Sequence, residues 1–147
     1  MGLKESIKLR LISENDAEFL YDMLKERDTT INVTHKKLPT FNEHKNFLNS
    51  QPYDAWYIIE IESKMVGNMW IDNQNRIGWF VKNQYKGFGL IIPAFHELKR
   101  IHKRSNYFGK VNPKNFEAQK LLKQLNFVLK DSFEDYLLFE YRSEKIL

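Results

Sequence analysis

The chain has 147 residues, a formal net charge of +4 and no cysteine. Its length is sufficient for one domain with its own core, and a hydrophobic fraction of 42% excludes a disordered chain. The lack of cysteine excludes disulfides, thiol nucleophiles and zinc sites built on cysteine. No apolar run has the length of a membrane span. We therefore expect a single domain over residues 1–147, in the cytoplasm, without a metal ion or a membrane partner.

The start of the chain predicts one strand followed by two helices. Residues 7–13 alternate between apolar and polar side chains, which is typical of a strand. Ser13 with Asp16, and Thr40 with Glu43, form capping-box patterns. Because such a pattern satisfies the unpaired N–H groups of a first helical turn, each one marks a predicted helix start.

The middle of the chain predicts three strands in quick succession, over residues 55–62, 66–72 and 76–81. Their turns are predicted at Lys64–Met65 and Asn73–Asn75, and residues 29–39 read as the loop that joins the two helices. Short strands connected by short turns are typical of an antiparallel meander.

The second half predicts a helix, a strand, a helix and a hairpin. The first helix starts near Pro93, because proline is tolerated only at a helix start. Its inner face comprises Ile91, Ala94, Phe95, Leu98 and Ile101. Residues 107–111, 115–125 and 127–141 form the other elements, and the inner side of the second helix comprises Phe116, Leu121, Leu122 and Leu125. We expect an α/β (α+β) fold with a single mixed, mostly antiparallel sheet of about six to seven strands and helices on both faces.

Two glycines, Gly87 and Gly89, stand between the last strand of the meander and the following helix. A strand that leads through a glycine-rich turn into a helix directs several free backbone N–H groups at one point, where the helix dipole adds partial positive charge. Lys82 and Lys86 flank this turn. The pattern predicts an anion site, with a plain sharp turn as the alternative.

The segment Val81–Ile91 resembles the acetyl-CoA pyrophosphate loop of the GNAT superfamily of N-acyltransferases, whose pattern is Arg/Gln-x-x-Gly-x-Gly/Ala. Lys86 falls at the first position of this pattern, Gly89 at the central glycine and Ile91 at the last position. A second segment, Asn115–Phe127, is similar to the family's Asn-x-x-Ala/Ser followed by a helix that ends in Gly-Phe. With the order of the elements, the resemblance covers nearly the whole chain.

The resemblance implies that acetyl-CoA is the co-substrate and that a primary amine attacks its thioester directly. In the family, pantetheine lies between two splayed strands, here residues 76–81 and 107–111, and a backbone N–H near Val81 polarises the thioester carbonyl. The N–H groups from Gly87 to Ile91 bind the pyrophosphate. The implied cofactor-binding residues are Phe80, Val81, Lys86, Gly87, Phe88, Gly89, Leu90, Ile91, Asn112 and Asn115.

The chain departs from the family pattern at four positions. Lys86 keeps a cation but lacks the planar fork of arginine, and Ile91 replaces a small residue. Asn126 replaces the glycine after the second helix, and asparagine tolerates that left-handed position. Leu122 stands where many members carry a tyrosine that protonates the departing thiolate. The hydroxyl groups that could replace it are those of Tyr107, Tyr136 and Tyr141.

Two residues are candidates for a general base, Asp72 and His44. Asp72 ends a predicted strand on the expected acceptor side, with a turn-forming role as the alternative. His44 lies on the short second helix, with a structural role as its alternative. Residues 40–48 resemble the Ser/Thr-x-x-Glu-His segment of members that acetylate amino sugars on nucleotides. Peptide N-termini, polyamines and other small amines stay open as acceptors, and a homodimer is the expected assembly.

Two alternative functions follow from other features. Residues 97–114 interleave basic side chains with Tyr107 and Phe108, as in a stacking platform for single-stranded nucleic acid. This favours a nucleic-acid-binding module as the competing class, although we expect no nucleic-acid partner. Leu122 favours a further alternative, a GNAT fold that binds acyl-CoA without catalysis.

Overall fold

A computed structural model of the chain describes residues 6–27 and 37–143, which form seven strands and four helices. The predicted order of elements and the α/β fold class are confirmed. In chain order the elements are β1 (Ile7–Leu11), α1 (Ala17–Lys25), α2 (Phe41–Asn49), β2 (Ala55–Ile61), β3 (Lys64–Ile71), β4 (Arg76–Val81), α3 (Ile91–Ile101), β5 (Asn106–Val111), α4 (Phe116–Gln124), β6 (Val128–Ser132) and β7 (Leu137–Arg142).

The strands form one sheet in the order β1-β2-β3-β4-β5-β7-β6. All neighbouring strands are antiparallel except β4 and β5, which are parallel. The mixed, mostly antiparallel sheet is therefore confirmed. The parallel pair arises because α3 crosses over between β4 and β5, whereas the other paired neighbours within the meander and the closing hairpin are joined by short turns.

Helices cover both faces of the sheet. Because side chains alternate along a strand, neighbouring residues of β2 face opposite layers. Ile59 packs in a large core with α3 and α4, whereas Ile58 packs in a smaller core with α1 and α2. The larger core includes Met69, Ile77, Phe95, Leu98, Tyr107, Leu122 and Phe139, and the smaller one includes Ala17, Leu20, Met23 and Leu48.

Both predicted capping boxes are present. The Asp16 carboxylate accepts a hydrogen bond from the Ser13 N–H at 2.7 Å, and the cap opens a single 3-10 turn that runs into α1. Thr40 caps α2, because its hydroxyl oxygen accepts from the Glu43 N–H at 3.1 Å. In return, the Thr40 N–H donates to the Glu43 carboxylate at 2.9 Å. Pro93 is the third residue of α3, so its missing N–H breaks no bond within the helix.

Three local predictions are wrong. The β2–β3 turn consists of Glu62 and Ser63, both with positive φ, rather than Lys64–Met65. This two-residue turn lacks the glycine or asparagine that usually signals it. Phe116 is 74% exposed and Ile101 is 40% exposed, because each lies at a helix end beyond the packed face. Most of the predicted loop 29–39 lies outside the described residues.

No helix within residues 6–27 and 37–143 is both long and apolar enough to cross a membrane.

Candidate active site

The strands β4 and β5 pair at only one end. Arg76 lies opposite Phe108 and Ile77 lies opposite Gly109, and the ladder stops there. The remaining residues of β4, up to Val81, have no partner in β5, so a gap opens between the two strands toward their carboxyl ends. This is the splayed pair that the resemblance predicts.

The backbone N–H of Val81 points into this gap. Lys82, the next residue, donates its own N–H to Val66 O of β3 at 2.9 Å. Because successive N–H groups of a strand point to opposite edges, that of Val81 points away from β3. It is therefore available as a hydrogen-bond donor at the place where the resemblance puts an oxyanion.

The loop between β4 and α3 presents unpaired backbone donors to open space. Gly87 and Gly89 have φ values of +87° and +68°, which L side chains rarely adopt. A β-carbon at either position would meet no atom within 4 Å. Across the described residues, no hydrogen bond uses the N–H groups from Gly87 to Leu90. This loop meets the chemical requirements of an anion site at a helix N-terminus.

The side chains around the loop leave its donors accessible. Ile91 is 4% exposed and packs in the larger core, so it does not cover the loop, although a small residue is usual there. Phe88 is exposed, and Lys86 is exposed beside the glycines. The Lys82 ammonium lies 5.7 Å from the centre of the Phe19 ring of α1. The loop therefore combines N–H groups that no described residue engages with the exposed Lys86 side chain next to Gly87.

The asparagines before α4 have partly structural roles. Asn115 caps α4, because its Oδ1 accepts from the Ala118 N–H at 3.2 Å. The Asn112 Oδ1 accepts from the Lys114 N–H at 2.9 Å. The Asn115 side-chain nitrogen donates no hydrogen bond inside the described part of the chain, and the residue is half-buried. That nitrogen is a candidate contact for a cofactor.

Leu122 belongs to the core. It is fully buried, and a β-carbon at Gly109 would lie 3.1 Å and 3.3 Å from its two δ-carbons. The side chain therefore fills the space between α4 and β5 and supplies no proton donor.

The three tyrosines considered as substitute acids are engaged in other contacts. Tyr107 is 1% exposed, and its hydroxyl donates to His102 O at 2.6 Å and accepts from the Arg104 N–H at 3.0 Å. The Tyr141 hydroxyl accepts from Lys99 Nζ at 3.1 Å. Tyr136 stacks on Phe133, and the Lys110 ammonium lies 4.7 Å from its ring centre. Because Tyr107 is buried, the predicted nucleic-acid stacking platform is wrong at that residue.

An aromatic wall lies on the α1–α2 face of the sheet, which is the expected acceptor side. Tyr53 stacks on Trp70 with ring centres 4.2 Å apart and packs edge-on against Trp56 at 5.0 Å. Phe47 contacts both Tyr53 and Trp56. Burial raises the pKa of Tyr53 to about 12, so its hydroxyl is a neutral donor at physiological pH. Phe80 of β4 extends this wall to the gap, and we call these five residues the aromatic wall.

Arg27 follows the C-terminus of α1 and lies over the aromatic wall. Its guanidinium carbon is 3.5 Å from the centre of the Phe80 ring. Its Nε and Nη1 atoms are buried and have no hydrogen-bond partner within the described ranges. Burial lowers the pKa of Arg27 to about 10, and the group is still a cation at neutral pH.

The two predicted base residues occupy different places. The Asp72 carboxylate accepts from the Gln74 N–H and the Arg76 N–H, each at 2.9 Å, and from Arg76 Nε at 2.7 Å. The Asp72 carboxylate therefore stabilises the turn between β3 and β4. His44 is 3% exposed, and its ring centre is 5.4 Å from that of Tyr21. Its Nε2 is buried and has no hydrogen bond to any residue that the structure describes. Burial lowers the pKa of His44.

The sequence did not reveal how Arg27 and Tyr53 are placed. Arg27 adjoins no recognisable motif, and its position over Phe80 depends on a contact between residues distant in sequence. Tyr53 had a weak signal, since it lies between Phe47 and Trp56 in an aromatic-rich stretch. That signal does not distinguish a half-buried aromatic wall from an ordinary core.

No protein-family model matches the sequence, and no curated protein matches it by sequence. Solved structures do match by fold. A spermidine N-acetyltransferase from Vibrio cholerae, in complex with CoA and spermine, has a TM-score of 0.77 and 17% identity over 94% of this chain and 96% of that chain. The microcin C7 self-immunity acetyltransferase MccE, in complex with acetyl-CoA and AMP, has a TM-score of 0.74 and 15% identity, covering 95% and 93%.

A third match is the ribosomal L7/L12 alpha-N-protein acetyltransferase RimL in complex with coenzyme A. Its TM-score is 0.73 and its identity 14%, over 95% of this chain and 96% of that chain. At such identities the likeness shows a shared fold, and it extends over nearly all of both chains in each case.

Proposed function

The chain has the fold of the GNAT acetyltransferases, and on that premise we propose that it transfers the acetyl group of acetyl-CoA to a primary amine. The observation that carries this proposal is the gap between β4 and β5, with the Val81 N–H directed into it. The unpaired N–H groups from Gly87 to Leu90 follow directly along the chain. Together they suit a thioester in the gap and a pyrophosphate at the loop.

The reaction requires one bond to form and one to break. The neutral amine attacks the thioester carbonyl, the C–N bond forms, and negative charge develops on the carbonyl oxygen. The Val81 N–H stabilises that charge, because it donates a hydrogen bond in a place where water is partly excluded. The C–S bond then breaks, CoA leaves as a thiolate, and the nitrogen loses one proton to yield the amide.

The departing thiolate and the attacking amine each exchange a proton. Leu122 cannot protonate the thiolate, so we propose that the proton comes from water. We propose His44 and Asp72 as the two candidates for a general base. Their contacts support structural roles, and an amine that arrives neutral requires no base. Unchanged pH–rate profiles in His44→Gln and Asp72→Asn would remove both residues from the chemistry.

The acceptor that the sequence favours is an amino group on a nucleotide-linked sugar. In the segment that carries this resemblance, Thr40 and Glu43 form the cap of α2. These contacts give Thr40 and Glu43 a structural role. Polyamines and protein N-termini are the acceptors of other proteins with this fold and are competing proposals here.

A second candidate is a non-catalytic acyl-CoA binder, favoured by the buried Leu122. The deciding experiment incubates the protein with acetyl-CoA and a panel of amines and follows thiol release. Amine-dependent release above a no-enzyme control supports transfer. Binding of acetyl-CoA with no release for any amine class would support the binder instead.

The variant Val81→Pro tests the oxyanion donor. Proline removes the N–H that points into the gap, and no bond to β3 is lost with it. We expect turnover to fall about 10²- to 10³-fold with a small change in acetyl-CoA affinity, as for removal of other oxyanion donors. Val81→Ala, which keeps the N–H, is the matched control. Equal activities of the two variants would contradict the assignment.

We also propose a homodimer in the cytoplasm. β6 is an edge strand whose five residues are all exposed, including Val128 and Leu129. Such an edge offers unpaired backbone groups and apolar surface to another copy. Sedimentation of the protein at several concentrations measures the assembly, and a monomer at all of them would contradict it.

A further inference from the structure

Arg27 differs from the other arginines whose surroundings the structure describes. Each of these others forms an ion pair with a carboxylate: Arg10, Arg76, Arg100, Arg104 and Arg142. Arg27 has no such pair in the described ranges, and two of its nitrogens are buried without a hydrogen bond. A buried charge without partners is costly, so an unpaired one requires an explanation.

The position of Arg27 connects it to the reacting gap. Its guanidinium lies on the ring of Phe80, the residue before Val81. Stacking on Phe80 fixes the plane of the guanidinium. Nε and Nη1 are buried, so an incoming group would first reach the edge at Nη2, which makes no hydrogen bond within the described ranges. An anion at this edge would lie on the same face of the sheet as the aromatic wall.

Two further groups near Arg27 suit an anion. Burial raises the pKa of Tyr53. Arg27 and Arg76 are close enough to the hydroxyl to lower that pKa, but by less. The hydroxyl is therefore a neutral donor beside a cation. Arg76 uses only its Nε to bind Asp72, and its two Nη groups make no hydrogen bond within the described part of the chain. The neighbourhood thus contains several unused donors and one carboxylate, which is already neutralised.

We propose that the acceptor is an amine that also carries an anionic group, a phosphate or a carboxylate, and that Arg27 binds this group. The inference rests on the proposed acetyl transfer and names the class of its acceptor. A planar guanidinium matches both anions through two parallel hydrogen bonds. The aromatic wall then contacts the body of the acceptor, and the amine reaches the thioester beside Val81. Polycationic acceptors are disfavoured, because they would face an unpaired arginine.

The test compares four amines with the full-length protein: glucosamine, glucosamine 6-phosphate, muramic acid and spermidine. Affinity is measured by calorimetry on protein saturated with CoA, and turnover by thiol release from acetyl-CoA. The variants are Arg27→Gln and Lys25→Gln. The second removes one positive charge two residues away, at the end of α1. Lys25 is exposed, forms an ion pair with Asp22 and lies over the ring of Tyr21.

We expect the wild type and Lys25→Gln to bind at least one anionic amine about 10- to 100-fold more tightly than glucosamine, as a charged hydrogen-bond pair allows. Arg27→Gln should lose that preference and keep its affinity for acetyl-CoA. A larger loss for glucosamine 6-phosphate assigns a phosphate, and a larger loss for muramic acid assigns a carboxylate. An undiminished preference in Arg27→Gln, or equal binding of all four amines by the wild type, would overturn the inference.

Two outcomes separate this inference from the proposed function. Arg27-dependent binding of the anionic amines without acetyl transfer would retain the anion site and reject the transferase. Transfer to glucosamine and spermidine alone would retain the transferase and reject the anion site. If Arg27→Gln fails to fold, Arg27→Lys keeps the charge but lacks the fork, and it should weaken the anionic preference several-fold. No weakening in Arg27→Lys would then count against the inference.

Discussion

Gly89 is the residue at which the proposed binding of acetyl-CoA can be tested most directly. Its φ of +68° is strained for valine, and the space beside it is open. We expect Gly89→Val to lose acetyl-CoA affinity by about 10- to 100-fold, because the loop N–H groups move and a branched side chain occupies the phosphate space. Calorimetry with acetyl-CoA measures the effect.

The control for this variant is Asn126→Val. Asn126 has a φ of +70° just beyond α4, so valine there imposes a similar strain of about 1–3 kcal/mol away from the loop. Asn126→Val should lose stability and keep acetyl-CoA affinity. If both variants bind acetyl-CoA normally, the glycine loop is a turn without a binding role.

His44 makes stability depend on pH at the scale of a single side chain. Burial lowers the pKa of His44, so the unfolded chain binds a proton more readily than the folded chain. The stability that neutral His44 contributes is fully present above its pKa in the unfolded chain, about 6.5. It is lost as pH falls through the lower pKa of His44 in the folded chain. We expect the free energy of unfolding of His44→Gln to fall less steeply below pH 6.5 than that of the wild type. Urea titrations between pH 5 and 8 measure the slope.

His96 provides the matched control for that slope. It is exposed on α3, and burial still lowers its pKa. His96→Gln should change the pH dependence less than His44→Gln, because His44 is the more buried residue. A larger change in His96→Gln would contradict the role given to His44.

The contact between α4 and β5 is set at the scale of two elements. Leu122 fills the space above Gly109, and no room is left for a longer side chain. The helix can lie this close to the strand because Gly109 has no β-carbon. Restoring the family's tyrosine at this position therefore tests packing as much as chemistry.

We expect Leu122→Tyr to destabilise the fold by about 1–3 kcal/mol, because it overpacks this contact. In a chain of this size, each kcal/mol of lost stability should lower the unfolding temperature by about 2–4 °C. Leu121→Tyr, at a half-buried neighbour, is the matched control and should be milder. A several-fold gain in turnover with unchanged stability would instead show that the site accepts the missing acid.

The whole molecule should respond to its cofactor as one unit. Acetyl-CoA that binds only the folded chain stabilises it by about 2.7 kcal/mol at 100 times the dissociation constant. We expect a clear rise in the unfolding temperature with acetyl-CoA and none with a single-stranded oligonucleotide, since Tyr107 is buried. The reverse result would favour the nucleic-acid-binding module.

Much of the fold followed from short-range patterns. Alternation of apolar residues predicted the strands, and the caps at Ser13 and Thr40 predicted helix starts, because these signals depend on neighbours in sequence. The glycine loop was predicted for the same reason. The β2–β3 turn was misplaced, since Glu62 and Ser63 adopt positive φ without the residues that usually accompany it.

The sequence alone therefore determined the order of the elements, the fold class and the glycine turn at Gly87 and Gly89, all of which depend on local conformational preferences. Only the tertiary structure decided where β4 and β5 separate, how Leu122 packs and which charges have partners. The clearest case is Arg27, which lies over Phe80 and has no ion pair in the part of the chain that the structure describes. These features depend on contacts and burial among residues far apart in the chain, and burial sets the energy of a charge in a way that no local pattern encodes.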